Sequence, residues 1–298
     1  MFIEWKDSMI VIPEFNIDKN KWIEGKVLNG KKLAQEIRSI IKVNISKNNL
    51  KPGLAVLLVG EDPASSIYVG SKEKACIEVG YHSIVEKQPA DISQNEIISI
   101  IQKWNNDKNI HGILVQLPLP KHINEREVLL SIDPQKDVDG FHLINVGKLF
   151  TRQSGIVSCT PLGIMVMLKE AGIDVAGKNA VVLGRSNIVG KPMGQLLMDY
   201  GNATVTICHS KTKEISKYVQ QADIIVSAMG VRNIISSSDV KEGSIVIDVG
   251  MHRTSEGLTG DLNLKELEKK VQYYTPVPGG VGPMTIAMLI YNTYNNAK

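Results

Sequence analysis

Short apolar runs without alternation constrain this chain more than any other feature: Leu54 to Val59, Gly112 to Leu117, Val181-Val182-Leu183, Asp223 to Ala228 and Ser244 to Val249. A strand with one wet face alternates polar and apolar residues, whereas unbroken runs predict strands covered on both faces, as in a parallel sheet between helices. Helix-period segments separate them. Leu33, Ile37, Ile41 and Ile45 make one stripe, and Ser93 with Glu96 reads as a capping box before Ile97, Ile98, Ile101 and Trp104. Further helices are expected near Glu125 to Ile132, up to about Tyr200, and from Met284 to Tyr294. The fold class is therefore α/β, with right-handed crossovers joining parallel strands.

A chain of 298 residues is long enough for two domains. An irregular, glycine-containing stretch, Asp137 to Gly147, precedes Thr160-Pro161, which reads as an N-cap with proline at the first helical position. The strand–helix pattern then restarts at Asn179. We expect one domain over 1–157, a second over 158–283, and a bend at Pro276 to Pro283 that carries the terminal helix, 284–298, back to the first.

With 34 basic and 31 acidic residues interspersed, a net charge of +3 provides no basic face for nucleic acid or an anionic membrane. Cys76, Cys159 and Cys208 form no close pair, which argues against a disulfide framework or thiolate metal site and for a reducing compartment, the cytoplasm. The six histidines lack metal-ligand spacing, so no metal is expected. No apolar run approaches the roughly 20 residues of a membrane span. Glu4, Lys6 and Asp7 precede only a short apolar stretch, Met9 to Ile12, unlike a signal or transit peptide. Met1 to Trp22 suggests no function.

Two segments carry chemistry. After the Leu54–Val59 strand, Pro63 can begin a helix on which Tyr68 and Lys72 lie one turn apart on one face, near the carboxyl end of a strand where open α/β sheets bind ligands. A solvated lysine lying along a tyrosine ring is the other reading of that pair. Gly184-Arg185-Ser186-Asn187-Ile188-Val189-Gly190 joins a strand to a helix, where backbone N–H groups and the helix dipole favour a pyrophosphate. It lacks the middle glycine of the usual dinucleotide fingerprint. The next strand ends in Cys208-His209-Ser210-Lys211-Thr212, without the acid that binds a free ribose hydroxyl. Arg185, Lys211, Ser210 and Thr212 suit a ribose 2′-phosphate instead, which favours NADP over NAD. Asp248-Val249-Gly250-Met251 ends another strand at the same edge, so Met251 either borders the nicotinamide end or is buried for packing.

Taken together, the Tyr68–Lys72 segment, Val115-Gln116-Leu117-Pro118-Leu119-Pro120, Lys136-Asp137-Val138-Asp139-Gly140, Gly184 to Pro192 and Thr275 to Pro283 resemble the bifunctional methylene-tetrahydrofolate dehydrogenase/methenyl-tetrahydrofolate cyclohydrolase family. The resemblance runs from about Lys26 to the last helix. It implies an α/β folate-binding catalytic domain and a Rossmann-like NADP-binding domain facing a cleft, in a homodimer acting on tetrahydrofolate derivatives. By resemblance, Tyr68 lies against the folate, Asp139 anchors the pterin, Lys72 is the catalytic lysine and Gln116 orients it. Offset stacking, paired hydrogen bonds to a carboxylate, and an amide that can bond an amine in either protonation state suit these roles. Hydride removal leaves a methenyl cation that water can attack, and like charge and burial both favour a neutral amine beside such a cation, which suits a lysine as the base. Pro278, Gly279 and Gly280 resemble the segment lining the folate site, and Gly184, Arg185, Ser186, Ser210 and Met251 form the expected cofactor set. Departures from the family pattern are local: Ser158 and Leu162 around Cys159-Thr160-Pro161, and Val231-Arg232-Asn233 after Gly230. Two other readings are a dehydrogenase of a different small acid, such as shikimate, and a non-enzymatic nucleotide-sensing module.

Overall fold

The computed structural model describes residues 10–255 and 257–298, so the reading of Glu4, Lys6 and Asp7 lies outside the described residues. In chain order the elements are β1 (Ile23–Glu24), β2 (Val27–Leu28), α1 (Gly30–Lys47), β3 (Gly53–Val59), α2 (Pro63–Val79), β4 (His82–Gln88), α3 (Gln94–Asn106), β5 (Gly112–Val115), α4 (Glu125–Leu130), α5 (Leu143–Phe150) and α6 (Cys159–Glu170). There follow β6 (Asn179–Leu183), α7 (Gly190–Asp199), β7 (Thr204–Cys208), α8 (Ile215–Val219), β8 (Ile224–Ser227), β9 (Ile245–Asp248), β10 (His252–Thr254), β11 (Gly257–Thr259), α9 (Leu264–Leu267), β12 (Tyr273–Tyr274) and α10 (Val281–Asn296). Two compact units result: one of the chain up to Glu36 with Thr160–Thr285, the other of Ile37–Cys159 with Ile286–Lys298.

In the unit built around Ile37–Cys159, three parallel strands lie in the order β4-β3-β5. All seven residues of β3 and all four of β5 are buried, as their unbroken apolar runs require. Leu57, Ile97, Ile101, Ile113 and Val128 belong to one core that joins sheet and helices. Helix α2 starts where Asp62 accepts from the Ser65 N–H and Pro63 needs no donor, and it stops at Gly80 in a left-handed conformation. The expected Ser93–Glu96 capping box opens α3. Strand β4 escaped the sequence reading because its charged edge residues, half-buried Glu86 and exposed Lys87, mask its apolar ones.

The other unit holds a sheet of order β1-β2-β12-β9-β8-β6-β7, parallel except for the β1–β2 pair. Its chain runs β6, β7 on one side, then β8 and β9 on the other, so strand order reverses at β6. Leu183, Ile225, Val246 and Leu267 belong to its core.

Four boundaries differ from expectation for identifiable reasons. The chain up to Glu36 clusters with Thr160–Thr285 rather than with the residues from Ile37 onward, because Val27 of β2 pairs with Tyr274 of β12 and extends that sheet. Helix α6 begins at Cys159, so Thr160 and Pro161 lie inside its first turn. Helix α10 begins at Val281, which makes Val281-Gly282-Pro283 a first turn rather than part of a bend; proline is tolerated there because that turn needs no N–H from it. The stretch read as irregular holds the first turns of α5, nucleated where the His142 ring accepts the Ile144 N–H.

The residues ahead of β1 are anchored by one side chain. Glu170, at the end of α6 and 6 % exposed, accepts backbone N–H groups from both Phe15 and Ile17. Lys169 adds a hydrogen bond to the Ile12 carbonyl and an ion pair with Glu14. Glu170→Ala strands both donors and should cost about 2 kcal/mol in chemical denaturation; an unchanged midpoint would show that the segment is not held this way.

Candidate active site

In the three-stranded sheet the chain order β3, β4, β5 against the spatial order β4-β3-β5 makes a switch point between the carboxyl ends of β3 and β5. Gln116 is the first residue past β5, and its N–H bonds the Leu57 carbonyl on β3. Its amide is oriented by donation to the Leu117 carbonyl at 2.8 Å, which leaves the oxygen to accept from Lys72 Nζ at 3.1 Å. Lys72 is only 5 % exposed, although it is a lysine on a helix. Its Nζ lies 5.3 Å from the centre of the Tyr68 ring, one turn earlier on α2. Burial explains why the pair is not a solvated surface contact.

Asp139 completes the group. Burial raises its carboxyl above the ordinary range, opposed by the charge of Lys72 and a hydrogen bond from Cys159. Tyr68, Lys72, Gln116 and Asp139 therefore all belong to one unit, with Lys72 in direct contact with Tyr68 and Gln116 and in electrostatic contact with Asp139. The loop carrying Asp139 is fixed by a residue the sequence reading did not single out: Asp137, 2 % exposed, accepts from the Phe141 and His142 N–H groups and from Asn145 Nδ2. Asp137 stood in the same motif as Asp139, and its position ahead of a helix start was the available signal.

Pro278, Gly279 and Gly280 stand in the other unit, where the Gly279 carbonyl accepts from the Lys31 N–H at 2.8 Å. A Cβ on Gly30 would lie 2.0 Å from the Gly280 carbonyl oxygen, so backbone meets backbone there.

The remaining candidates share that unit with them. Gly184 directly follows β6 with φ +124°, and a Cβ there would lie 2.3 Å from the Ala228 carbonyl oxygen. A Cβ on Gly190 would lie 2.2 Å from the Gly184 oxygen, so the turn closes on itself and leaves its outer side open. The first N–H groups of α7 are not free for a pyrophosphate. Val189 and Gly190 donate to Ser186 Oγ, Lys191 donates to the Ser186 carbonyl, and Pro192 has no N–H. The Ser186 hydroxyl accepts two N–H groups and keeps its own O–H as a donor, so an anion there would meet the positive helix end through it. Arg185, Ser186 and Ser210 are exposed, and no acid stands between the end of β7 and Glu214. This set fits a phosphorylated dinucleotide: a closed glycine turn, one relayed O–H donor, and a cation beside a second hydroxyl. Met251 is 56 % exposed, so packing does not account for it.

Beneath Met251 lies a second network missing from the sequence reading. Asp248, 1 % exposed, accepts from the N–H groups of Gly250, Asp261 and Leu262. Asp261, 0 % exposed, accepts from the N–H groups of Met229 and Gly230 and pairs with His252 at 2.7 Å. A Cβ on Gly250 or Gly260 would collide with Asp261 or Asp248 respectively. The two carboxylates thus fix the loops that follow β8 and β9 at the same sheet edge as Gly184. Asp248 was visible at a strand end, whereas Asp261, distant in sequence, gave no local signal.

A glycine-turned parallel sheet with a reversed strand order, and in the other unit a lysine, amide and carboxylate gathered at a switch point, define a two-domain α/β protein of dehydrogenase type. The chain belongs to the tetrahydrofolate dehydrogenase/cyclohydrolase family: residues 28–139 match its catalytic domain and residues 158–298 its NAD(P)-binding domain. It is 51% identical over 280 residues to the bifunctional protein FolD of Acetivibrio thermocellus, covering 93% of this chain and 98% of that relative. The crystal structure of the bifunctional FolD dehydrogenase/cyclohydrolase from Campylobacter jejuni superposes with a TM-score of 0.88 at 50% identity, covering 91% and 98% of the two chains. The Trypanosoma brucei dehydrogenase-cyclohydrolase, solved with NADP cofactor and inhibitor, gives 0.87 at 35% identity over 92% and 97%. Membership rules out the separate small-acid dehydrogenase and the non-enzymatic module.

Burial lifts the Asp137 carboxyl from 3.8 to about 6 against the pull of its three donors, with Asp139 adding to the rise. A folded-state value above the unfolded one stabilises the protein below the unfolded value, and that stabilisation is lost as pH rises through about 6. The stability deficit of Asp137→Asn should therefore grow by up to about 3 kcal/mol between pH 7 and pH 4. A deficit that shrinks on acidification would mean that the three donors outweigh burial.

Proposed function

We propose that this chain oxidises 5,10-methylene-tetrahydrofolate to 5,10-methenyl-tetrahydrofolate with NADP and hydrolyses the latter to 10-formyl-tetrahydrofolate. Family membership supports both activities, and the observation that carries their chemistry is the buried Lys72 amine hydrogen-bonded to Gln116. NADP supplies the hydride acceptor. The protein's task in that step is alignment of the folate carbon, for which no separate acid is needed. In the second step water adds to the methenyl carbon and Lys72 takes the water's proton; the bond from that carbon to N5 then breaks as N5 gains a proton. Gln116 keeps the amine pointed at the reacting carbon through its carbonyl oxygen.

Tyr68 holds the aminobenzoyl group by offset stacking and Asp139 accepts paired hydrogen bonds from the pterin edge. Pro278, Gly279 and Gly280 enter the proposal on the family resemblance. Arg185, Ser186 and Ser210 bind the phosphates of NADP, with Gly184 giving close backbone approach and Met251 bordering the nicotinamide end. The NADP-bound T. brucei relative supports this choice of cofactor. Cytoplasmic location is supported by three free, buried cysteines, and among the described residues no helix is long and apolar enough to cross a membrane. A homodimer is proposed on the family resemblance, and the molar mass from light scattering tests it.

The deciding experiment supplies purified protein with methylene-tetrahydrofolate and NADP and follows NADPH and 10-formyl-tetrahydrofolate. Appearance of both is expected, and absence of turnover would overturn the proposal. Catalytic efficiency should be higher with NADP than with NAD, and Arg185→Ala should weaken NADP more than NAD; equal or better efficiency with NAD contradicts the cofactor choice. Asp139→Ala should lose about 2–4 kcal/mol of folate binding while NADP binding stays nearly intact. Unchanged folate affinity in the folded variant would mean that Asp139 does not read the pterin.

A further inference from the structure

The proposed pterin anchor sits in a loop whose backbone is held by a residue far away in sequence. Asn292, on α10 and 5 % exposed, donates through Nδ2 to the Val138 carbonyl at 2.9 Å and the Val157 carbonyl at 3.1 Å. The same nitrogen lies 3.6 Å from Cys159 Sγ. The Val138 carbonyl belongs to the peptide that leads into Asp139, so Asn292 grips the backbone one bond from the residue that is to read the pterin.

The Cys159 thiol donates to the same Val138 carbonyl at 3.2 Å, so that oxygen meets two donors, one from α10 and one from the start of α6. On the other side of Asp139, Gly140 has φ +73°, and a Cβ there would lie 2.5 Å from the Ser158 nitrogen. A Cβ on Gly112 would lie 2.7 Å from Val138 Cγ1 and 2.9 Å from Thr293 Oγ1. The loop is therefore pressed from three directions against β5, the 157–159 segment and α10, and Asn292 is the polar group common to the latter two.

We propose that Asn292 is a positioning residue for folate recognition, acting through the backbone that carries Asp139. This inference rests on the reading of Asp139 as the pterin anchor. Asn292 itself touches neither substrate nor cofactor.

The test is steady-state kinetics on Asn292→Ala, Asn292→Ser, Asp139→Ala and the Asn292→Ala/Asp139→Ala double variant, with circular dichroism and melting temperature for each. Asn292→Ala should raise KM for methylene-tetrahydrofolate by about 5- to 10-fold, the scale of one hydrogen bond, and change KM for NADP by less than about 2-fold. Asn292→Ser keeps a shorter donor and should fall between it and the wild type; if the alanine variant does not fold, the serine variant carries the test. In the Asp139→Ala background, Asn292→Ala should add no further change in folate KM, because the residue it positions is gone. A raised folate KM in Asp139→Ala with an unchanged one in folded Asn292→Ala would overturn the role of Asn292 alone. Equal rises for folate and NADP, or full additivity in the double variant, would reduce Asn292 to a structural tie and overturn it too. An unchanged folate KM in Asp139→Ala would overturn the underlying reading of Asp139, and this inference with it.

Discussion

Keeping a lysine amine out of water is costly unless its donors are met, and that constraint organises the folate-binding unit. Lys72 sits at 5 % exposure on α2 and meets Gln116 Oε1, the Tyr68 ring and the field of Asp139. Each of those partners must itself be held. Gln116 is held because it comes directly after β5 and bonds back to β3 and forward to Leu117. Asp139 is held by Asp137 on one side and by contacts from α10 on the other. Helix α10 is in turn fastened to the end of α2, where the Tyr81 hydroxyl donates to the Ile290 carbonyl at 2.6 Å. The unit thus closes a ring of contacts around one amine, with α2 as both its start and its end.

The nucleotide-binding unit solves a different problem with similar means. Its sheet edge must present loops close enough together to border a flat dinucleotide, and close approach there is made possible by missing Cβ atoms at Gly184, Gly190, Gly250 and Gly260. Backbone brought so near needs its N–H groups answered. Ser186 answers those at the start of α7, and Asp248 and Asp261 answer those after β8 and β9. A buried carboxylate bonded by several backbone N–H groups sets loop geometry more strictly than an apolar contact could, since the loss of any one partner leaves a buried polar group unpaired.

How much the sequence disclosed depends on where each signal is stored. The strands β3, β5, β6, β8 and β9 were legible because covering both faces of a parallel strand demands an unbroken apolar run. The capping box at Ser93 and the proline start at Pro63 were legible because caps are local chemistry. Strand β4 was hidden by its polar edge, and α5 by a glycine and the polar residues around its start. Tyr68 and Lys72 could be placed on one helix face from spacing, but spacing could not tell a buried amine from a solvated one; the distinction depends on Gln116, 44 residues on. Asn292 and Asp261 were out of reach for the same reason, as each acts on backbone groups that only the folded chain brings near. The amino-terminal segment joined the unexpected unit because β2 pairs with β12 and because Glu170, more than 150 residues away, binds the backbone ahead of β1.

The proposed chemistry turns on the buried amine of Lys72 as the base for hydrolysis, with hydride transfer depending on alignment instead. Lys72→Met keeps the apolar stem and removes the amine, so decay of methenyl absorbance with supplied methenyl-tetrahydrofolate measures the loss directly. In a variant folded by circular dichroism, hydrolysis should slow by roughly 100-fold or more, with a smaller loss of NADP reduction. Hydrolysis at the wild-type rate would contradict this mechanism, and Lys72 would not be the base.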